Sequence, residues 1–183
     1  MEIKETTINS EIIYDGKIIK VIKDTVTLPD GNTAIREVVE HPGGVCVLPI
    51  DSNRDVLLVE QFRYPYKEPT LEIPAGKRNS KTEEPLECGM RELSEETGAE
   101  AEKFTFLGEL YPTPGYCGEI IYMYLATGLK FGKMHTDEDE FLNLKRIPFS
   151  KAIDLVMNGE IKDSKTQVAI LKAKILLDKG ELL

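Results

Sequence analysis

An α+β fold, a mixed β-sheet covered by helices, is predicted by three features of this 183-residue chain. Strand-like segments fill most of the first half. A single helix, entered at Pro85 and closed at Gly98, interrupts them. Strands then resume, and two helices follow. Strands, helix, strands and two helices do not make a regular βαβ alternation, so a doubly wound sheet is excluded.

The elements can be justified in order. Asp15-Gly16 sits between Glu11–Tyr14 and Ile18–Ile22, a hairpin signal. Pro29-Asp30-Gly31 makes a second turn before Ala34–Glu40. His41-Pro42-Gly43-Gly44 breaks the pattern, so residues 1–42 read as a small antiparallel β element and 43–183 as the main domain. Gly44–Pro49 and Asp55–Phe62 are apolar β-formers around Ser52-Asn53-Arg54 and read as a buried hairpin. Leu71–Gly76 reads as one short strand stopped by Pro74 and Gly76. A helix over about 84–97 would bury Leu86, Met90, Leu93 and Thr97, which fall at helical spacing. Strands are expected at 104–110 and 120–126, and again up to Ile147. Ser150 is a candidate cap for a helix to Asn158, and Asp163 for the last helix, to about Lys179.

Composition narrows the function. Apolar residues make up 41% and no apolar run approaches a membrane span of ~18 residues. The charged N-terminal segment carries no signal-peptide core, and three cysteines without paired spacing suit reduced thiols, so a cytoplasmic location is expected. Two histidines leave no His/Cys zinc site. The net charge of −9 speaks against nucleic-acid partners. Carboxylates crowd at 83–102 and 137–140, and such clusters call for a cation or a fully solvated face.

The helix carries the sharpest signal. Glu92 and Glu96 stand four residues apart, and Glu95 adjoins the same ridge. Stacked like charges cost ~0.2–0.5 kcal/mol per pair, and anions near a helix C-terminus oppose its dipole by ~0.3–1 kcal/mol each. A hard divalent cation such as Mg²⁺ would resolve the conflict. A solvated acidic face would also tolerate it. Arg91 can pair with Glu95 or reach back to Glu83. Gly89 inside the helix is explained by close approach of a strand.

The segment Gly76–Ala99 resembles the Nudix box: Gly, five residues, Glu, seven residues, Arg-Glu-apolar-any-Glu-Glu-any-Gly-apolar. Arg91-Glu92-Leu93, Glu95-Glu96 and Gly98-Ala99 match, with seven residues back to Glu83. Six residues rather than five separate Gly76 from Glu83, so one extra residue lies in the polar stretch 77–82. The resemblance runs beyond the box, through Glu60–Tyr64, Leu71–Gly76, Pro112–Tyr116 and Ile161–Thr166. Pro114, about sixteen residues past the box, marks the ADP-ribose pyrophosphatase branch. Gly118 stands where many relatives carry an acidic residue, which leaves the role of Glu119 open.

This resemblance implies a Nudix fold and Mg²⁺-dependent hydrolysis of ADP-ribose to AMP and ribose 5-phosphate, with Mn²⁺ as an alternative ion. Another nucleoside diphosphate sugar such as GDP-mannose is the rival substrate, and a non-catalytic metabolite-binding module is the rival class. The resemblance implies metal ligation by Glu92, Glu96, Glu95 and the backbone carbonyl of Ala75. Arg91 holds these carboxylates. Arg63 and Glu72 are expected at the substrate, with Pro114 and Tyr116, and Tyr14, Tyr64 and Tyr66 are further stacking candidates. The general base is expected on the acidic run, at Glu138 or Glu140. Relatives form homodimers through their N-terminal strands, so a homodimer is expected.

Overall fold

The computed structural model describes residues 3–135 and 141–181. Two compact units arise. The first comprises the chain up to Gly43 together with Tyr111–Ile120, and the second the remainder.

In the first unit, β1 (Thr6–Asp15), β2 (Lys20–Thr27) and β3 (Thr33–Glu40) form an antiparallel sheet in that order. Both expected turns are present. Gly31 adopts φ +87°, a left-handed conformation that glycine enters at little cost. Residues 111–120 join this unit through main-chain bonds from Val39 N to Tyr116 O (2.8 Å) and Gly118 N to Val39 O (2.9 Å). The sequence did not announce that attachment, because residues 111–120 lie far along the chain from β3.

The second unit contains β4 (Gly44–Pro49), β5 (Asp55–Arg63), β6 (Glu68–Glu72), β7 (Ala75–Lys77), α1 (Pro85–Thr97), β8 (Ala99–Leu110), β9 (Ile121–Phe131), β10 (Leu142–Pro148), α2 (Phe149–Met157) and α3 (Ser164–Asp178). One sheet has the order β7-β4-β9-β8, with β4 and β9 parallel. The other, β10-β5-β6, is antiparallel.

The expected β4–β5 hairpin is therefore corrected. The turn exists, closed by Asp51 N to Asp55 O at 2.9 Å, but its strands enter different sheets. Both strands are apolar on both faces and are satisfied only between two layers. Cys46 and Leu48 join Val56 and Leu58 in a core shared with α2 and α3. Val45 and Val47 join Leu57 in a second core beneath α1. The single strand expected at 71–76 is corrected for a similar reason. Pro74 has no N–H for a ladder, and around it the chain leaves β5 and rejoins at β4.

Two helix readings also change. Ser150 lies inside α2, and Pro148 occupies the cap position. Phe149 N, one of the orphan donors of the first turn, is satisfied instead by neighbouring backbone, donating to Arg54 O at 2.9 Å. In α1 the buried face is Cys88, Gly89, Glu92, Leu93, Glu96 and Thr97, while Leu86 and Met90 are exposed. Leu93 and Thr97 are buried as expected, but in place of Leu86 and Met90 the helix turns two carboxylates inward. Asp163 caps α3 as expected, accepting from Thr166 N at 2.9 Å.

Candidate active site

Gly89 explains how α1 comes to lie so low on the sheet. A methyl group there would stand 2.8 Å from Val45 Cγ1 and 3.2 Å from Val47 Cγ2, too close for an unstrained fit. The missing side chain lets the helix settle onto β4, which brings its inner face against β7. Gly98 then ends α1 in the left-handed conformation (φ +67°), its N–H donating to Ser94 O at 2.8 Å.

Glu92 and Glu96 thus become buried carboxylates, Glu96 only 2% exposed. Ala75 N donates to Glu96 Oε2 at 3.1 Å, tying β7 to the helix. Gly76 faces the Glu92 carboxylate so closely that a Cβ would collide with it. Gly76→Ala is accordingly expected to displace Glu92 with little effect on the fold, because the obstructing atoms end a flexible side chain. A fall in kcat of about 10–100-fold, with a nearly unchanged melting temperature by calorimetry, is the expected result.

Arg91 gathers the neighbouring carboxylates. Its guanidinium lies 2.7 Å from Glu92, 3.0 Å from Glu95 and 3.6 Å from Glu83. Desolvation works against its charge, but these carboxylates, Glu92 foremost, hold its pKa above the ordinary value. Both sequence options for Arg91 are therefore realised together. Glu84 is the N-cap residue of α1, and it is Glu83 that reaches Arg91. The longer stretch 77–82 is accommodated in a loop closed by buried Arg78, which donates to the carbonyls of Lys81 (2.7 Å) and Glu83 (2.9 Å).

Among the described residues no group of three or more His, Cys, Asp or Glu side chains is assembled as a metal cage. Glu92 and Glu96 face inward while Glu95 is engaged by Arg91. This donor set still fits a hard ion. Mg²⁺ is ordinarily held by one or two carboxylates, with waters and substrate phosphates completing its shell.

Arg63 and Glu72 are brought together across β5 and β6. Arg63 donates through Nε to Glu72 Oε1 (2.7 Å) and through Nη2 to Oε2 (2.5 Å), a bidentate pair. Glu72 is 2% exposed and also accepts from Thr70 Oγ1 (2.5 Å) and from Lys165 Nζ. Burial alone would raise its pKa, but hydrogen bonding from Arg63 and the charge of Lys165 outweigh it and lower it to about 2. Glu72 bonding raises the Arg63 pKa most, against desolvation, and Glu96 adds to it, so the two clusters feel each other.

The remaining candidates divide by place. Pro114 and Tyr116 belong to the first unit, where Tyr116 is exposed. Tyr14, Tyr64 and Tyr66 are exposed, and Lys67 Nζ lies 2.8 Å from the centre of the Tyr64 ring. Glu119 Oε1 lies 3.4 Å from His41 Nδ1. Glu138 and Glu140 lie outside the described residues. His135, just before that run, donates its N–H to Glu95 O at 3.1 Å. Cys46 and Cys88 are buried, which pushes their thiols up to about 12 and about 11 and suits inert packing. Lys165 and Arg78 are the functional neighbours that sequence reasoning missed. Each sits in a polar stretch that reads as solvated, with no local pattern to signal burial.

The profile of the NUDIX domain matches residues 33–167, most of the chain. This chain belongs to the Nudix family. A second profile, the nucleoside diphosphate sugar hydrolase N-terminal domain, matches residues 5–39. Among curated relatives of this Nudix chain, a methanol dehydrogenase activator of Bacillus methanolicus is 41% identical, covering 91% of each chain. An ADP-ribose pyrophosphatase of Bacillus subtilis is also 41% identical, covering 92% of this chain and 91% of its own. A GDP-mannose pyrophosphatase of Yersinia enterocolitica is 34% identical, covering 96% and 97%. The solved structure of an ADP compounds hydrolase superposes with a TM-score of 0.84 at 23% identity, over 98% of this chain and 97% of the other, showing the shared fold. Nudix ADP-ribose pyrophosphatases need a divalent metal.

Proposed function

We propose that this Nudix hydrolase cleaves the diphosphate of ADP-ribose to AMP and ribose 5-phosphate, with Mg²⁺ as its ion and Mn²⁺ as a substitute. The observation that carries this reading is the pair of buried carboxylates, Glu92 and Glu96, set one turn apart beside Ala75 and Gly76. The 41%-identical ADP-ribose pyrophosphatase supports the choice of nucleotide.

Glu92, Glu96 and the Ala75 carbonyl would hold the ion, with Glu95 available to support a second. When bound, such an ion neutralises diphosphate charge and lowers the pKa of water. Arg91 keeps Glu92, Glu95 and Glu83 oriented between turnovers. Arg63, whose side chain is 38% exposed, presents its guanidinium to the phosphate that leaves. Glu72 orients Arg63 through their bidentate pair and is assigned to the sugar side of the substrate. Pro114 and Tyr116 are assigned to the adenosine side. The general base is assigned to Glu138, with Glu140 as the alternative.

The test is incubation with ADP-ribose and Mg²⁺, with and without EDTA, beside GDP-mannose and NADH. AMP released from ADP-ribose only with metal is the expected result. Cleavage of GDP-mannose instead would move the substrate to the second reading, which the 34%-identical GDP-mannose pyrophosphatase favours.

A homodimer belongs to the same reading. β1 is exposed along its length, and Ile8, Ile12, Ile13 and Ile35 are exposed on the N-terminal sheet. So much exposed apolar surface on one small sheet suits burial by a second copy. Light scattering is expected to give twice the 20.6 kDa chain mass, and a monomeric mass would overturn this. No helix among the described residues is long and apolar enough to cross a membrane. The three free thiols agree with a cytoplasmic location.

A further inference from the structure

The most unusual charge in the second unit is Lys165. It lies in the first turn of α3, only 7% exposed, where lysine is seldom found unless paired. Its Nζ donates to Glu72 Oε2 and, at 3.0 Å, to Asp163 Oδ1. Asp163 is itself occupied as the helix cap, through Thr166 N (2.9 Å) and Thr166 Oγ1 (2.5 Å). Thr166 Oγ1 in turn accepts from Ile73 N at 2.9 Å, which pins the residue after Glu72 to the same helix. Two cations and two anions therefore share one site, and of the pair on Glu72 only Arg63 reaches solvent.

This arrangement solves a problem for any ligand contact by Arg63. A guanidinium that turns toward a phosphate must loosen its grip on Glu72. With no other partner, Glu72 would become a buried carboxylate without a counter-charge, which is strongly unfavourable. Lys165 removes that obstacle. Burial works against its charge, but Asp163 and Glu72 more than compensate and hold its pKa above the usual lysine value.

We propose that Lys165 is a positioning residue that keeps Glu72 paired from behind, so that Arg63 is free to engage the diphosphate of the substrate. The inference rests on the assignment of Arg63 to the diphosphate. Lys165 touches no substrate and acts through Glu72 alone.

Steady-state kinetics on ADP-ribose with Mg²⁺ test it through a double-mutant cycle. Lys165→Met is expected to raise KM about tenfold while kcat stays within about threefold. Added to Glu72→Gln, the same change is expected to raise KM no further, because no carboxylate then competes for Arg63. If Lys165→Met does not fold, the cycle passes to Lys165→Gln, of similar length but without the counter-charge, with a KM rise in the same direction expected and again none on top of Glu72→Gln. An unchanged KM, or equal KM effects in both backgrounds, overturns the proposal. So does a parallel loss of kcat and melting temperature, which is the mark of a merely structural lysine. A wild-type enzyme that cleaves no nucleoside diphosphate sugar would instead remove the functional reading, and this inference with it.

Discussion

Glu96→Gln is expected to lower kcat on ADP-ribose about 10²–10³-fold, the range seen when one electrostatic contact to developing charge is removed. That corresponds to about 3–4 kcal/mol of transition-state stabilisation. The substitution is nearly isosteric, and the amide oxygen can still accept from Ala75 N, so the bond between β7 and α1 is retained. It also removes one of two like charges stacked four residues apart, and one that opposes the dipole at the C-terminal end of α1. These relieved repulsions contribute ~0.2–1 kcal/mol each. Stability is therefore expected to hold or rise while activity collapses, which kinetics and thermal melting on the same preparation can read together. Full activity in Glu96→Gln would refute the assignment of this pair to the metal. A fall in melting temperature of many degrees would show instead that the carboxylate is structural.

Glu72→Gln is expected to destabilise the protein at neutral pH and to flatten its acid sensitivity. The folded pKa of Glu72 is lowered from 4.5 to about 2. A depressed carboxylate contributes stability above its unfolded pKa, and that contribution is lost as pH falls from about 4.5 toward 2. The difference is worth about 3 kcal/mol by linkage, the same order as breaking one buried charge pair, ~3–5 kcal/mol. Urea unfolding of wild type and variant at pH 7 should differ by about that amount, and the gap should shrink as pH falls below about 4.5 and be nearly gone at about pH 2. Equal stability at pH 7 would mean that Arg63 and Lys165 find other partners at no cost. A gap that persists at pH 2 would mean that the carboxylate's charge is not what stabilises the site.

Much of the architecture could be read from local rules. The turns at Asp15-Gly16 and Pro29-Asp30-Gly31, the Pro85 and Gly98 limits of α1 and the Asp163 cap are all decided within a few residues by φ preferences and orphan N–H groups, and the structure keeps them. The order of elements and their α+β class followed from these. The carboxylate ridge was also legible, because three acids at the wrong end of a helix violate local preference, and such breaks mark functional sites.

Pairing was not legible. The β4–β5 and 71–76 segments were misassigned because a doubly buried apolar strand looks the same whichever sheet receives it. The face of α1 that is buried was only half legible: Leu93 and Thr97 are buried as expected, but periodicity counts apolar residues and so missed the inward carboxylates. Here the contact of Gly89 with Val45 and Val47 sets the rotation, and it carries Glu92 and Glu96 inward while Leu86 and Met90 stay outside. Lys165 meeting Glu72 lies 93 positions away in sequence, beyond the reach of any motif. The sequence by itself thus determined the order and type of most elements, several of their turns and caps, and where carboxylates gather on α1. Only the tertiary structure decided which of those charges are buried and paired, because burial and Coulomb energy depend on distances through space that chain order does not specify.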